Sequence, residues 1–191
     1  MKYIAALTIL FGGFFCFQTF TYADTPIQVV RKEVKYIEND NTVLYSKLWV
    51  RPMQNAVLFH HSDNIRNRDT LRNVTSSSLV KAKQLSFQKA ALYIPRLSQY
   101  VSKIGKENIQ VYYIAIHYNV KKENAYQLDG MNYFLQVFVK ERGEWKIAES
   151  VVAPTEQIVQ NGDGFGMKEE MVYGDRRECE ITSSSRGGYF I

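Results

Sequence analysis

The sequence predicts an α+β protein in which N-terminal helices pack on a curved antiparallel sheet. Apolar residues recur at three- and four-residue steps over residues 26–50, as they do on one face of a helix. Three β-prone runs follow at residues 109–120, 132–140 and 145–152. Helices first and a long run of strands afterwards favour separate layers of helix and sheet.

The N-terminal 23 residues have the pattern of a secretory signal peptide. Lys2 precedes an apolar run at residues 3–20, and small residues stand at the −3 and −1 positions of a cleavage site after Ala23. We therefore expect a secreted or extracytoplasmic protein. A retained membrane anchor is the alternative, because the run is near the length of a spanning helix.

Two helices are expected to open the domain. Thr25 can cap the first, with Pro26 at its first position, where the missing N–H has no helical partner to lose. The Asn-Asp-Asn sequence at residues 39–41 interrupts the apolar pattern. We expect a turn there and a second helix that begins at Thr42 and ends near Val50.

The middle of the chain, residues 55–93, gives weaker signals. Residues 60–72 are rich in Asn, Asp and Arg, which favours a loop or a weakly apolar helix, and three serines at residues 76–78 are typical of a turn. Residues 79–93 alternate as in a strand, and a helical period also fits part of them; we favour a strand at residues 83–89. A short helical or irregular link is expected at residues 96–101.

Residues 109–120 form the strongest predicted strand. One face carries Tyr112, Ile114, Ile116 and Tyr118, and the other carries Val111, Tyr113, Ala115 and His117. Because both faces are apolar near the middle, we expect a central strand that is covered on both sides. Gly143, between the last two runs, can adopt the positive φ of a tight hairpin.

Beyond the last strand the periodic pattern ends. The glycine-rich run at residues 161–166 predicts a loop, and the serine- and glycine-rich run at residues 183–188 is typical of a mobile tail. We therefore expect one domain at residues 24–158 and a partly flexible C-terminal extension at residues 159–191.

The sequence Gly-Glu-Trp-Lys-Ile at residues 143–147 opens the last strand. Together with the two helices and the long antiparallel strands, it resembles the NTF2-like superfamily of SnoaL-like or cystatin-like α+β rolls, in its secreted accessory type. The resemblance covers residues 25–152 and departs from the family pattern at residues 55–93. It implies helices and a curved sheet around a cone-shaped cavity. That superfamily contains enzymes, ligand binders and accessory domains, so the resemblance implies no single activity.

The composition and charge of the chain limit the classes of molecule that it is expected to bind. The net charge is +5 at pH 7, but the basic residues are scattered, which disfavours nucleic acid. A mildly basic surface outside the membrane favours an anionic wall polymer or another envelope protein. Cys179 is the only cysteine that would remain after cleavage of the signal peptide, so we expect no internal disulfide. His60 and His61 would point to opposite faces of a strand, so we expect no metal and no other cofactor.

The candidate general base is His117, in the middle of the strongest strand, with Tyr113 on the same face as a hydrogen-bond donor. A satisfied strand histidine is the alternative, because the sequence spacing assigns it no carboxylate partner. The candidate ligand-binding side chains are Tyr112, Tyr118, Tyr133 and Phe138. Aromatic rings on a sheet can stack on sugars or peptides, although they also simply favour strands.

These observations favour a secreted, non-catalytic binding or protein-interaction module at the bacterial cell envelope. One alternative is a small-molecule enzyme of isomerase or hydrolase type, with His117 as general base in a polar cavity of the roll. The other is a structural protein that oligomerises, as a homodimer through the sheet.

Overall fold

The computed structural model describes residues 24–61, 71–124 and 126–185. The predicted signal peptide at residues 1–23 and most of the predicted loop at residues 60–72 lie outside this part of the chain. The described residues form seven α-helices and one four-stranded antiparallel sheet, which confirms the predicted α+β class.

The sheet is a meander in which each strand pairs with the next along the chain. Its strands are β1 (Val74–Leu85), β2 (Ile109–Val120), β3 (Gly130–Glu141) and β4 (Glu144–Val152). β2 and β3 are therefore central, as predicted for β2. Gly143 joins β3 to β4 with a φ of 88°, a left-handed conformation that glycine adopts without steric cost.

Helix α1 (Pro26–Glu38) begins where the sequence predicts. The Thr25 hydroxyl accepts the backbone N–H of Gln28 at 3.3 Å, and the Gln28 side chain accepts the backbone N–H of Thr25 at 2.7 Å. This capping box satisfies two N–H groups that no helical carbonyl can reach. The face turned to the sheet is apolar except for Glu33.

Helix α2 (Thr42–Ser46) is shorter than predicted because the chain leaves it to pair with the sheet. Val50 donates its N–H to the carbonyl of Ile147 at 2.9 Å, and Ile147 donates to the carbonyl of Leu48 at 2.8 Å. The prediction of a helix as far as Val50 was therefore wrong. Helix α3 (Arg51–His60) follows on the surface, with Val57 as its one buried residue.

Strand β1 begins earlier than predicted, and the three serines lie within it rather than in a turn. Two of the serine hydroxyls form hydrogen bonds to neighbouring elements. Ser77 Oγ donates to the carbonyl of Val34 in α1 at 2.7 Å, and the Asn119 amide of β2 donates to Ser76 Oγ at 2.6 Å. These hydrogen bonds compensate for the polar sequence of an edge strand.

The predicted strand at residues 83–89 is replaced in its second half by a helix. Ser86 caps that helix by accepting the N–H of Lys89 at 3.4 Å. Four helices then cover the face of the sheet opposite α1: α4 (Phe87–Tyr93), α5 (Leu97–Ile104), α6 (Thr155–Gln160) and α7 (Lys168–Ser185). Two buried clusters result, one on each face of β2 and β3.

The start of the C-terminal extension belongs to this packed body. Tyr113 of β2 stacks on Phe165 with 4.5 Å between ring centroids and donates its hydroxyl to Glu170 at 2.8 Å. Tyr173 lies edge-on to Tyr133 of β3 at 5.0 Å. The helix α7 continues into the serine-rich run that was predicted to be mobile, and the end of that run lies outside the described residues.

Candidate functional site

A cavity of about 620 Å³ lies between the sheet and helices α1, α2 and α3. Its wall is mostly aromatic and aliphatic, and includes Ile37, Tyr45, Trp49, Val57, Leu71, Ile116, Tyr118 and Phe134. Two lining residues, Met53 and Tyr126, are 40% and 55% exposed and mark where the cavity reaches the surface.

Glu33 provides the carboxylate of this cavity. It lies on the buried face of α1, is only 4% exposed, and accepts hydrogen bonds from Gln136 Nε2 at 3.0 and 2.8 Å. Burial raises the pKa of Glu33 to about 7, and the hydrogen bond from Gln136 opposes that rise. A carboxyl group with this pKa is partly ionised at neutral pH.

Two phenols face the same carboxylate. Burial, and next the charge of Glu33, raise the pKa of both Tyr45 and Tyr118 above the ordinary tyrosine value. Both hydroxyls therefore keep their protons at neutral pH and can act as neutral hydrogen-bond donors in the cavity.

Three buried polar atoms in the wall have no hydrogen-bond partner within the described residues: Trp49 Nε1, His61 Nδ1 and Gln136 Oε1. The Trp49 N–H opposes the rise in the Tyr45 pKa, yet the pair lacks hydrogen-bond geometry. Buried polar groups are normally paired, because each unpaired one costs about 1–3 kcal/mol. These three atoms belong to residues of the cavity wall, so polar groups lie within an otherwise apolar lining.

His61 stands at the end of α3, where its ring is edge-on to Tyr45 with 5.3 Å between centroids. Burial and, next, the neighbouring His60 lower the pKa of His61 to about 4, against an opposing effect of Asp40. The imidazole is therefore neutral at pH 7 and adds no positive charge to the cavity.

The candidate ligand-binding residues from the sequence fall on both faces of the sheet. Tyr118 lines the cavity. Tyr112 and Phe138 lie on the same face, edge-on to each other at 5.8 Å, but outside the cavity wall. Tyr133 lies on the opposite face, buried among α6 and α7.

The candidate catalytic pair also lies on that opposite face. Tyr113 is buried there. His117 lies four residues further along β2, so its side chain is on the same face. It is half-buried and is paired with Met131 of β3. The sheet itself separates both residues from the cavity. His117 therefore does not line the cavity between the sheet and α1–α3, and its role as a general base stays a prediction.

Glu33, Trp49 and Gln136 were not singled out from the sequence, and His61 was considered there only as a metal ligand. One signal was available, since Glu33 is an acidic residue at a position of α1 where the helical period demands an apolar one. No comparable signal marks Gln136, which lies on a strand where polar residues normally alternate with apolar ones.

A second concave surface, here called the hairpin groove, lies beside the β3–β4 turn and measures about 590 Å³. It is lined by Tyr36, Trp145 and four basic residues, Lys32, Lys47, Arg142 and Lys146. Lys32 pairs with Asp24 and Lys146 pairs with Glu144. Within the described residues, Lys47 and Arg142 form no ion pair.

Across the described ranges, no group of three or more His, Cys, Asp or Glu side chains is arranged to hold a metal ion. None of the described helices is both long enough and apolar enough to cross a membrane.

A scan against models of known protein families gives no match to this chain, and a search of curated proteins gives none either.

Proposed function

We propose that the protein is a non-catalytic binding protein of the bacterial cell envelope that holds a small, mostly apolar molecule in the cavity between α1–α3 and the sheet. The observation that carries this proposal is the cavity of about 620 Å³, whose aromatic wall holds three unpartnered buried polar atoms. Small-molecule sites typically enclose about 300–1,000 Å³, with apolar walls and a few convergent polar groups.

The proposed location rests on the N-terminal pattern of a signal peptide, and the proposed NTF2-like roll rests on the order of helices and antiparallel strands. An envelope protein or an anionic wall polymer would bind outside the cavity, where the hairpin groove offers basic and aromatic side chains. Pairing of two copies through the sheet is not part of this proposal, because helices pack on both faces of β2 and β3.

The test blocks the cavity without disturbing the core. Ala56 is an exposed residue of α3 that lines the cavity, so Ala56→Trp should fill its mouth. Its neighbour Asn55 is exposed and does not line the cavity, so Asn55→Trp is the matched control. We expect saturable binding of the neutral dye Nile red by the original protein and Asn55→Trp, and loss of binding in Ala56→Trp. Absence of saturable binding, or equal binding by both variants, would contradict the proposal.

One observation favours a second candidate, acid–base catalysis in the same cavity. Glu33 has a pKa of about 7 beside two protonated phenols, and a general base is most effective when its pKa is near the working pH. In this candidate Glu33 takes the role that the sequence analysis gave to His117. Mass spectrometry of a bound molecule after incubation separates the candidates: conversion that Glu33→Gln abolishes supports catalysis, and unchanged ligand contradicts it.

A further inference from the structure

The polar part of the cavity carries the negative charge of a carboxylate. Glu33 is its carboxylate, and no Lys or Arg is present among the described residues of its wall. The other titratable groups in the described part of the wall are Tyr45 from α2, Tyr118 from β2, Tyr126 from the β2–β3 connection, and His60 and His61 from the end of α3. The pKa shifts of Tyr45, Tyr118 and His61 keep these three groups neutral at pH 8, so they do not balance an ionised Glu33.

Gln136 turns the acceptor side of its amide away from Glu33. Its Nε2 lies within hydrogen-bond distance of both oxygens of Glu33 and, at 3.3 Å, of the Ser150 hydroxyl. The other end of the amide, Oε1, is buried and has no partner within the described chain. The wall therefore contains a second acceptor oxygen close to its carboxylate, and both oxygen-bearing groups make the electrostatic potential there more negative, which favours a positively charged ligand.

Aromatic rings make up much of the remaining wall, contributed by Tyr45, Trp49, Tyr118 and Phe134. The faces of such rings are negative and attract cations, most strongly when water is excluded. A carboxylate surrounded by aromatic rings is therefore a suitable environment for an organic cation. An anionic ligand would instead be repelled by Glu33, and no Lys or Arg of the described wall offsets that repulsion.

We propose that the ligand of this cavity is an organic cation, an amine or quaternary ammonium group on an apolar body. The inference rests on the proposed function, since it requires that the cavity binds a small molecule. The charged group lies against Glu33 and Gln136, and the apolar body lies along the aromatic wall toward Met53. This ligand would explain why an acidic residue, Glu33, lies within the apolar face of α1, because the bound cation balances its charge.

The test compares three molecules with the same chain length, octyltrimethylammonium, 1-octanol and octanoate, by isothermal titration calorimetry at pH 8. The quaternary ammonium group has no proton to lose, so its charge is constant. We expect octyltrimethylammonium to bind about tenfold more tightly than 1-octanol, because its charge is attracted by the ionised Glu33 carboxylate, and octanoate to bind most weakly, because that carboxylate repels it. Glu33→Gln should bring the ratio of the first two affinities close to one.

The matched control is Glu38→Gln, which removes the same charge from an exposed position on the same helix and should keep the tenfold ratio. Circular dichroism of each variant checks that it is folded. Binding of 1-octanol with no preference for the cation, or a preference that survives Glu33→Gln, would overturn the inference and leave the proposed function standing. If none of the three molecules binds while Nile red does, the inference falls and the proposed function stands; if Nile red does not bind either, both proposals fall.

Discussion

Gln136 of β3 donates its side-chain amide to both carboxylate oxygens of Glu33, at 3.0 and 2.8 Å, and so joins the sheet to α1 inside the protein. The carboxylate gains these hydrogen bonds but no positively charged partner within the described residues. A buried charge that is only partly compensated lowers stability. Such a residue is a good candidate for a role in binding, because an apolar side chain would pack there at lower cost.

Replacing Glu33 by glutamine should make the protein more stable at alkaline pH. The folded carboxyl keeps its proton up to about pH 7, whereas the unfolded one releases it near pH 4.5. Between these values the folded state binds more protons, so the free energy of unfolding falls as the pH rises. The advantage of Glu33→Gln should grow by about 3 kcal/mol between pH 4.5 and pH 8. Urea unfolding at both pH values measures it.

The surface replacement Glu38→Gln is the control for that experiment, because Glu38 is an exposed residue on the same helix. Its effect on the free energy of unfolding should be small and nearly the same at both pH values. A Glu33→Gln advantage that does not depend on pH would show that the Glu33 carboxyl is not held protonated by the fold.

Gln136→Leu should destabilise the protein more at pH 8 than at pH 5. The replacement removes the N–H groups that Glu33 accepts, and a hydrogen bond to a charged group contributes about 1.5–3 kcal/mol, compared with about 1 kcal/mol for a neutral one. Because Glu33 is ionised only at the higher pH, Gln136→Leu loses hydrogen bonds to a charged group at pH 8 and to a neutral group at pH 5. Chemical unfolding of Gln157→Leu, an exposed glutamine of α6, should show no such difference.

His61 should have the opposite pH dependence. Its pKa is about 4 in the folded protein and 6.5 when unfolded, so the stability from keeping it neutral is complete above pH 6.5 and is lost as the pH falls toward 4. His61→Gln should therefore gain stability relative to the original protein between pH 8 and pH 5 in thermal melts. An unchanged difference between the two proteins at these pH values would contradict the burial of His61.

Together these two groups predict a compensated pH profile for the original protein. Between pH 4.5 and 6.5 the folded state holds one extra proton on Glu33, and the unfolded state holds one extra proton on His61. Their contributions to the slope of stability against pH have opposite signs and cancel in that window. The slope of stability against pH that each group causes should therefore be measurable in Glu33→Gln and His61→Gln, although the two slopes cancel in the original protein.

The elements that the sequence predicts well are those set by local pattern. The capping box at Thr25, the alternation of β2 and the hairpin at Gly143 depend on neighbouring residues alone. The end of α2 is different, because it is decided by pairing with Ile147, about a hundred positions away in the chain. Local propensity contains no information about that contact.

The site was harder to predict for a related reason. Glu33 and Gln136 are 103 positions apart, and their contact follows from the packing of α1 on β3. His117 and Tyr118 are adjacent on β2 and point to opposite faces, and both faces of that strand are apolar. The sequence therefore predicts a strand covered on two sides without indicating which side contains the cavity.

The C-terminal extension should be required for stability. Glu170 is fully buried, accepts the Tyr113 hydroxyl at 2.8 Å and accepts the backbone N–H groups of Phe165 and Met167 at 2.9 and 2.8 Å. Tyr113→Phe removes one of these donors and should cost about 1–2 kcal/mol, measured by urea unfolding. Tyr126→Phe, at an exposed position, is the matched control. Equal stability of both variants would show that the Glu170 contact contributes nothing.

The hairpin groove should account for any binding to anionic wall polymers. Lys47 and Arg142 form no ion pair within the described residues, so their charges are available to a polyanion. The double variant Lys47→Gln with Arg142→Asn should lose retention on purified cell wall, and asparagine suits the positive φ of 53° at position 142. Lys103→Gln with Lys121→Gln, both exposed and outside the groove, removes the same charge and should keep retention.

Retention of the original protein should also fall in 1 M salt, where exposed charges attract each other only within about 3 Å. Retention that survives high salt, or that both double variants lose equally, would show that general charge or apolar contact, and not this groove, holds the polymer.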